Sequence, residues 1–84
     1  MNTPVRHTDH IGHGSADMLM ECVAECLNLA ALKADLAIRC ADANDRAGLN
    51  YHARQGAAAY EQALGILKML NERRASERSR EGAA

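Results

Sequence analysis

The sequence predicts an all-α fold: an antiparallel two-helix hairpin, coiled-coil-like, that completes a helical bundle by dimerising or by binding a partner. Of its 84 residues 48% are apolar, yet only two are aromatic, and alanine, the strongest helix former, is the most frequent residue. Two stretches repeat apolar residues every three or four positions, and a segment rich in Asn, Asp and Gly separates them. A lone hairpin of this length buries little surface, so we expect it to associate.

Three segments are expected along the chain: a flexible arm at residues 1–14, the helical hairpin at 15–74 and a disordered tail at 75–84. The arm contains the only Pro, three of the four His and no apolar periodicity. The tail consists of Arg, Glu, Ser, Ala and Gly. A segment without large apolar side chains cannot offset the entropy that it loses on ordering.

The first helix is predicted from Ser15 to Ala43, because Ser15 offers an N-cap and Asp17 places a carboxylate in the first turn. Its polar residues occupy one arc of roughly 100° on a helical wheel, and the remaining surface is nearly all apolar. That apolar surface forms two adjacent stripes, one of Leu19, Val23, Leu27, Ala30, Ala34, Ala37 and Ala41, the other of Cys22, Cys26, Leu29, Leu36 and Cys40. One neighbouring helix cannot cover so wide an arc, so we expect contact with two elements, one of them another chain.

A turn is predicted around Asp42 to Gly48, where residues that favour turns and caps are concentrated. The second helix is predicted from Leu49 to Arg74. Its apolar or small residues recur at alternating spacings of four and three, as in a coiled-coil seam: Leu49, Ala53, Gly56, Tyr60, Ala63, Leu67 and Leu70. Gly and Ala within this row keep one side of the helix thin, so two backbones can approach closely there.

Charge and hydropathy exclude several classes of protein. The net charge is −1, and the basic residues Arg54, Lys68 and Arg73 are scattered over the polar side of the second helix, so we expect no nucleic-acid partner. No run approaches the ~18 apolar residues of a membrane span, and the first residues lack the apolar core of a secretory signal. Three cysteines without a repeated spacing are typical of a reducing compartment. We therefore expect a cytoplasmic protein without membrane insertion.

Metal binding is the most specific alternative function that the sequence suggests. Cys22 and Cys26 lie one helical turn apart and could share copper(I) or zinc, with His10 and His13 of the arm completing the ligand set. Cys40 lies too far along the helix to join them. The competing interpretation is that the cysteines are small buried apolar residues, in which case no cofactor is expected.

No catalytic signature occurs, and we expect the protein not to be an enzyme. Nucleophilic catalysis needs a Cys or Ser oriented by a His, and the best available pair is Cys40 before the turn and His52 after it. Neither a third orienting group nor an oxyanion-stabilising loop accompanies this pair. His52 is more simply interpreted as a surface residue on the flank of the second helix.

The second helix carries the string YHARQGAAAYEQALGILKML, which follows an amphipathic first helix and a polar turn. Over about residues 19–71 the chain resembles the small helical-hairpin co-chaperones of type III secretion needle subunits. The resemblance implies a non-enzymatic adaptor that sequesters a partner's amphipathic helix, so that the partner cannot assemble early. It implies a functional surface on the second helix, anchored by Tyr60, Leu64, Leu67 and Leu70. The apolar stripe of the first helix adds Leu29 and Leu36, and the partner is another protein's helix or a second copy.

Overall fold

The computed structural model describes residues 15–83, which form two antiparallel helices joined by a three-residue turn. Helix α1 spans Ala16–Asp42 and helix α2 spans Arg46–Ala83. The predicted all-α hairpin is confirmed, and no strand occurs between residues 15 and 83. The expected arm at residues 1–14, with His10 and His13, lies outside the described residues.

Helix α1 begins as its sequence predicts. Ser15 has extended backbone angles and its Oγ accepts a hydrogen bond from the backbone N–H of Met18 at 3.1 Å, which satisfies one of the free donors of the first turn. Asp17 lies in the first turn and Arg39 in the last, where each charge complements the helix dipole. Both ends of α1 lie within one residue of the predicted boundaries.

Two backbone hydrogen bonds close the turn after α1. The N–H of Asn44 donates to the carbonyl of Ala41 at 3.1 Å, and the N–H of Asp45 donates to the carbonyl of Cys40 at 2.8 Å. This is the Schellman arrangement, and it requires a left-handed residue at the position of Asn44. Asn44 has a φ of 59°, a conformation that asparagine tolerates better than most residues. The chain therefore reverses within three residues, inside the predicted turn region.

Helix α2 begins at Arg46, three residues before the predicted start, because Asp45 serves as its N-cap. The Asp45 Oδ1 accepts from the N–H of Gly48 at 2.9 Å, and the Asp45 carbonyl accepts from Leu49 at 3.0 Å. The helix continues to Ala83, nine residues beyond the predicted end at Arg74, through the segment expected to be a disordered tail. Residues 71–81 contain no Gly or Pro and consist largely of Arg, Glu and Ala, which favour helix.

The contact between the helices is narrow. Among the described residues only Leu19, Ala37, Ala59 and Ala63 are buried, and three of these four are alanines. The helices approach closely at Gly56, where an added Cβ would lie 3.4 Å from the Cβ of Lys33. Small residues thus bring the backbones together but bury little apolar area.

The fold is a single layer of helices. Its smallest Cα extent is 12 Å, about the diameter of one helix. Stable domains usually enclose a core between at least two packed layers. The outer faces of the hairpin have no such second layer within the chain.

Helix α2 faces α1 with a different row of residues from the predicted seam. The buried or half-buried row comprises Gly48, His52, Gly56, Ala59, Ala63, Ile66 and Leu70. Four members of the predicted seam are instead exposed: Leu49, Ala53, Tyr60 and Leu67. The apolar surface of α2 is wider than one contact with α1, and the close approach at Gly56 turns its glycine- and alanine-rich side towards α1. The larger side chains consequently border the contact.

Candidate functional site

The hairpin leaves more large apolar surface exposed than it buries. Eleven large apolar side chains of the described residues remain exposed, from 36% for Leu49 to 60% for Ile38. Leu19 is the one large apolar side chain that is buried in the described part of the chain. Single exposed apolar residues are normal on a protein surface, whereas a contiguous set marks an interaction site. Whether these eleven residues form a contiguous set therefore decides whether they mark an interaction site.

An apolar groove runs between the two helices on one side of the hairpin. Its middle section encloses about 460 Å³ and is lined by Ala30, Ala34 and Ala37 of α1 and by Ala53, Gly56, Ala57 and Tyr60 of α2. The floor consists of small side chains because the backbones approach closely there. Tyr60 forms one wall and is 51% exposed. A helix with large apolar side chains fits such a groove because the small residues of the floor leave room for those side chains.

The groove continues towards both ends of the hairpin. At the open end, Met20 of α1 and Leu70 of α2 line a section of about 270 Å³ together with the polar residues Asn71, Arg73, Arg74 and Glu77. At the turn, Ala41 and Leu49 line a third section together with Asn44, Asp45 and Arg46. Helical periodicity places four further large residues on this side: Leu27 and Ile38 of α1, and Leu64 and Leu67 of α2. We refer to this whole surface as the apolar groove.

The helices have a simple register along the groove. Residues at the same level have numbers that add to about 90, as for Met20 with Leu70, Ala37 with Ala53 and Ala41 with Leu49. The position of a Cβ on Gly56 lies 3.7 Å from the backbone N of Ala34, which fixes this register in the middle of the hairpin.

Charged residues follow the outer edges of the hairpin. Helical periodicity places Asp17, Asp35 and Asp42 along the edge of α1 and both Lys68 and Glu61 along that of α2, with Arg46 and Arg74 at the two ends of the groove. Asp35 accepts a hydrogen bond from the Nε of Arg39 at 2.9 Å, one turn further along α1. The Nε of Arg54 donates to Asn50 Oδ1 at 3.0 Å. The edge of α1 is thus acidic with one paired arginine, whereas the edge of α2 carries charges of both signs.

The predicted partner-binding residues fall on two different sides of the hairpin. Tyr60, Leu64 and Leu67 belong to the apolar groove, where they are 51%, 47% and 37% exposed, and Leu70 is half-buried at its open end. In contrast, helical periodicity places Leu29 and Leu36 of α1 away from the groove, with Leu29 46% exposed and Leu36 half-buried.

The sequence analysis did not assign Met20 and Ile38 to the site. Both residues contribute exposed apolar surface on the groove side of α1. Their spacing from Ala34, at fourteen and four residues, is compatible with one helical face and could have signalled this.

Two residues on the other side of α2 provide an internal comparison. Tyr51 and Met69 are 56% and 53% exposed, as much as Tyr60 and Leu64 in the groove. Helical periodicity places them on a side of α2 that faces away from the apolar groove. The Tyr51 ring makes an edge contact with the neighbouring His52 ring, with centroids 5.1 Å apart.

The paired cysteines lie half-buried on α1, one turn apart, with free thiols. Within residues 15–83 no group of three or more His, Cys, Asp or Glu side chains is placed to hold a metal ion. The predicted ligands His10 and His13 lie outside the described residues. The copper or zinc site at Cys22 and Cys26 stays a prediction.

Cys40 lies against the turn, beside Asp45 and Gly48. Burial raises the pKa of the Cys40 thiol, and the negative charge of Asp45 and its hydrogen bond with the thiol raise that pKa further. These influences disfavour the thiolate that a nucleophile needs. His52 is half-buried rather than on an open surface, and its Nδ1 is buried without a hydrogen-bond partner. The environment of Cys40 is thus the opposite of that in an activated Cys–His pair.

Neither described helix combines the length and the apolar content that a membrane crossing requires. Comparison with family models, with curated proteins and with solved structures gives no match to this chain. The apolar groove is therefore interpreted from its own geometry.

Proposed function

We propose that this chain is a non-enzymatic interaction module, an adaptor or co-chaperone that holds an amphipathic helix of a partner protein in the apolar groove. The observation that carries the proposal is the groove itself, whose middle section is lined by small apolar side chains with Tyr60 as one wall. Helix-in-groove recognition uses such a surface, since the apolar face of a bound helix enters the groove while its polar flanks meet the charged edges of the hairpin.

The groove suits a helix on energetic grounds. Full burial of one large apolar side chain contributes roughly 1.5–3 kcal/mol, and Met20, Tyr60, Leu64 and Leu67 are each at least one-third exposed. Association costs on the order of 4–15 kcal/mol in lost freedom, so several such side chains must be buried together. A helix that spans only one section of the groove would bury too few of them, which favours a partner helix of several turns.

Binding in the groove would sequester the partner helix. A partner helix whose apolar face otherwise drives assembly is kept from other copies of the partner while it occupies the groove. The type III secretion needle co-chaperones, which the sequence resembles over about residues 19–71, supply a model for such a role. On this proposal the partner is a self-assembling helical subunit and the setting is the cytoplasm, and no substrate is turned over.

Site-specific photo-crosslinking in the native cell tests the proposal. A photoreactive amino acid replaces Leu64 in the groove or, as the matched control, Met69 on the other side of the same helix. We expect crosslinks to an amphipathic helix of another protein from position 64 and not from position 69. Equal crosslinking from both positions, or crosslinked peptides without helical amphipathicity, would refute the proposed groove.

A purified partner then allows a test of sequestration. The wild-type chain should slow the partner's self-assembly, measured by light scattering, when the two are equimolar. Leu64→Glu should lose this effect, because it places a charge in the apolar strip, whereas Met69→Glu should retain it. If Leu64→Glu protects the partner as well as the wild type does, the groove is not the binding surface.

The competing proposal is a copper- or zinc-binding bundle, which the half-buried pair Cys22 and Cys26 supports. Its test is metal content by mass spectrometry of the untagged full chain after purification. The double variant Cys22→Ser with Cys26→Ser should then lose stoichiometric metal, while Cys40→Ser should keep it. A metal-free wild-type protein that also fails to bind added zinc or copper(I) would eliminate this function.

A further inference from the structure

We propose that the side of the hairpin opposite the apolar groove holds a copper(I) ion between three sulfur ligands, the thiolates of Cys22 and Cys26 on α1 and the thioether of Met69 on α2. The inference rests on the competing proposal of a metal-binding bundle and does not depend on the groove. It narrows that proposal to one metal and adds a ligand from the second helix.

The two cysteines lie on adjoining parts of one face of α1. Cys26 precedes the buried Ala37 by eleven residues, about three helical turns, so it faces α2. Cys22 precedes Leu29 by seven residues, about two turns, and therefore lies towards the side of α1 away from the groove. Side chains four residues apart are neighbours on a helix, with Cβ atoms roughly 5–6 Å apart. Two thiolates at this spacing can bind one ion.

Met69 of α2 lies level with this pair. Residues at one level of the hairpin have numbers that add to about 90, as for Met20 and Leu70 at the nearby open end. The numbers of Met69 and Cys22 add to 91, and both residues lie on the side away from the groove. A long helical side chain covers the turn that precedes its own Cα. Because α2 runs antiparallel to α1, the Met69 side chain extends from the level of Cys22 towards that of Cys26.

The surroundings of Met69 allow it to bind the ion. Its side chain is 53% exposed and has three rotatable bonds, so no core position fixes its sulfur atom. Ile66, one turn earlier on α2, is half-buried in the row that faces α1, at a level between the two cysteines. An apolar side chain at this place limits the access of water to the sulfur atoms.

The other two methionines of the described chain are less suitable. Met18 lies one turn before Cys22, but a side chain that covers the preceding turn extends from there towards the start of α1. Met20 lines the apolar groove on the other side of the hairpin. Both residues therefore serve as matched controls for Met69.

The ligands select copper(I) over zinc. Zinc takes four ligands in structural sites, from Cys, His, Asp and Glu, and within residues 15–83 no third side chain of these types joins Cys22 and Cys26. The hairpin instead places a thioether beside them, a soft ligand that suits copper(I). Copper(I) accepts such a small ligand set of sulfur atoms alone.

Binding exchanges protons for the ion and transfers no electron. Copper enters as copper(I) and stays in that state. Two thiol protons leave as the two bonds from copper to the thiolates form, and the thioether binds as a neutral ligand, so the affinity should rise with pH. The ion connects α1 to α2 and should stabilise the folded hairpin, because the unfolded chain does not hold the three sulfur atoms together.

Titration of the full, untagged and reduced chain with copper(I), without oxygen and in competition with the chelator bicinchoninate, tests the inference. We expect one copper(I) per chain. Met69→Leu keeps the size of the side chain without its sulfur and should raise the dissociation constant roughly tenfold or more, since even outer-shell partners of a metal contribute that much. Met18→Leu and Met20→Leu should leave the dissociation constant unchanged. The variant His10→Ala with His13→Ala should also bind copper(I) as the wild type does.

X-ray absorption at the copper edge identifies the ligands directly. We expect three sulfur neighbours in the wild type and two in Met69→Leu, with circular dichroism showing that each variant is folded. An unchanged dissociation constant for Met69→Leu, or nitrogen neighbours of the copper, overturns the inference. Copper that is lost in the His10 and His13 variant overturns only this ligand set and leaves the competing proposal in place. A chain that binds neither copper(I) nor zinc overturns both.

Discussion

The Asp45 carboxylate accepts a hydrogen bond from the backbone N–H of Gly48 at 2.9 Å, and this contact begins the second helix directly after the first has ended. Asp45 also closes the first helix, because its own N–H donates to the carbonyl of Cys40 at 2.8 Å. One residue thus terminates α1 and caps α2, which explains why three residues suffice for the reversal. The tight turn sets the register of the two helices along the groove.

The first prediction concerns this cap. Asp45→Ala removes the acceptor for the N–H of Gly48 and should lower the free energy of unfolding by about 1 kcal/mol. Asp45→Asn keeps an oxygen acceptor and should lose much less. Urea denaturation followed by circular dichroism measures both variants at one protein concentration. Equal losses in the two variants would show that the carboxylate acts through its charge and not as a cap.

The second prediction concerns the reactivity of Cys40. Burial and the negative charge of Asp45 hold the pKa of this thiol above its ordinary value of 9.0, so its alkylation by iodoacetamide should reach half-maximal rate at a higher pH than that of a free thiol. Asp45→Asn removes the negative charge and should shift that midpoint to lower pH. Mass spectrometry follows the alkylation of Cys40 separately from that of the other cysteines. An unaltered Cys40 profile would exclude an influence of Asp45.

The same shift has a defined effect on stability. The Cys40 thiol has a higher pKa in the folded chain than in the unfolded chain, so thiolate formation favours unfolding. Its contribution to stability is complete below pH about 9 and is lost as the pH rises through the folded-state pKa. Cys40→Ser should flatten the stability profile in this alkaline range. A profile identical to that of the wild type would contradict the shift.

The third prediction compares two glycines of α2. An added Cβ at Gly48 would collide with the Asp45 carboxylate and would lie 2.6 Å from Cys40 Sγ, so Gly48→Ala should destabilise the hairpin despite the higher helix propensity of alanine. Nothing lies within 4 Å of a Cβ at Gly65, and Gly65→Ala should raise the free energy of unfolding by about 1 kcal/mol. Thermal unfolding compares the two variants. A stabilised Gly48→Ala protein would show that the turn can relax around a methyl group.

The fourth prediction concerns His52. Its Nδ1 is buried without a hydrogen-bond partner in the row of α2 that faces α1. Burying an unpaired polar atom costs about 1–3 kcal/mol, so His52→Leu should increase the free energy of unfolding, with about 1 kcal/mol as the expected size. His52→Gln keeps a polar group in this place and should give no increase. If His52→Leu is less stable than the wild type, the imidazole makes a favourable contact through an atom other than its Nδ1.

Local sequence signals were sufficient for helix α1 and the turn. Ser15, Asp17 and Asn44 act through hydrogen bonds and charges within a few residues, so their types predict the ends of α1 to within one residue. The later end of α2 was missed because a segment of Arg, Glu and Ala can satisfy helix propensity and still lack any apolar contact. Propensity and the entropy of ordering oppose each other there, and the sequence gives no direct measure of their balance.

The sequence also did not determine which side of each helix forms the seam. The apolar surfaces of both helices are wider than one helix–helix contact, so several rows compete for the same contact. Gly56 decides the outcome for α2, because the close approach at this residue turns Ala59 and Ala63 inwards and leaves Tyr60 and Leu67 on the groove. Consequently Leu29 and Leu36, predicted as partner contacts, lie away from the groove, while Met20 and Ile38 lie on its side.

The chain contains two tyrosines, Tyr51 and Tyr60, and their comparison measures groove occupancy directly. They are 56% and 51% exposed in the single hairpin, on different sides of α2. Iodination of the native protein under limiting reagent, with the products quantified by mass spectrometry, should modify Tyr51 several-fold faster than Tyr60 when the groove is covered. The difference should vanish when the groove is uncovered. Equal modification of both tyrosines, with and without a bound partner, would contradict the claim that this groove is the functional surface.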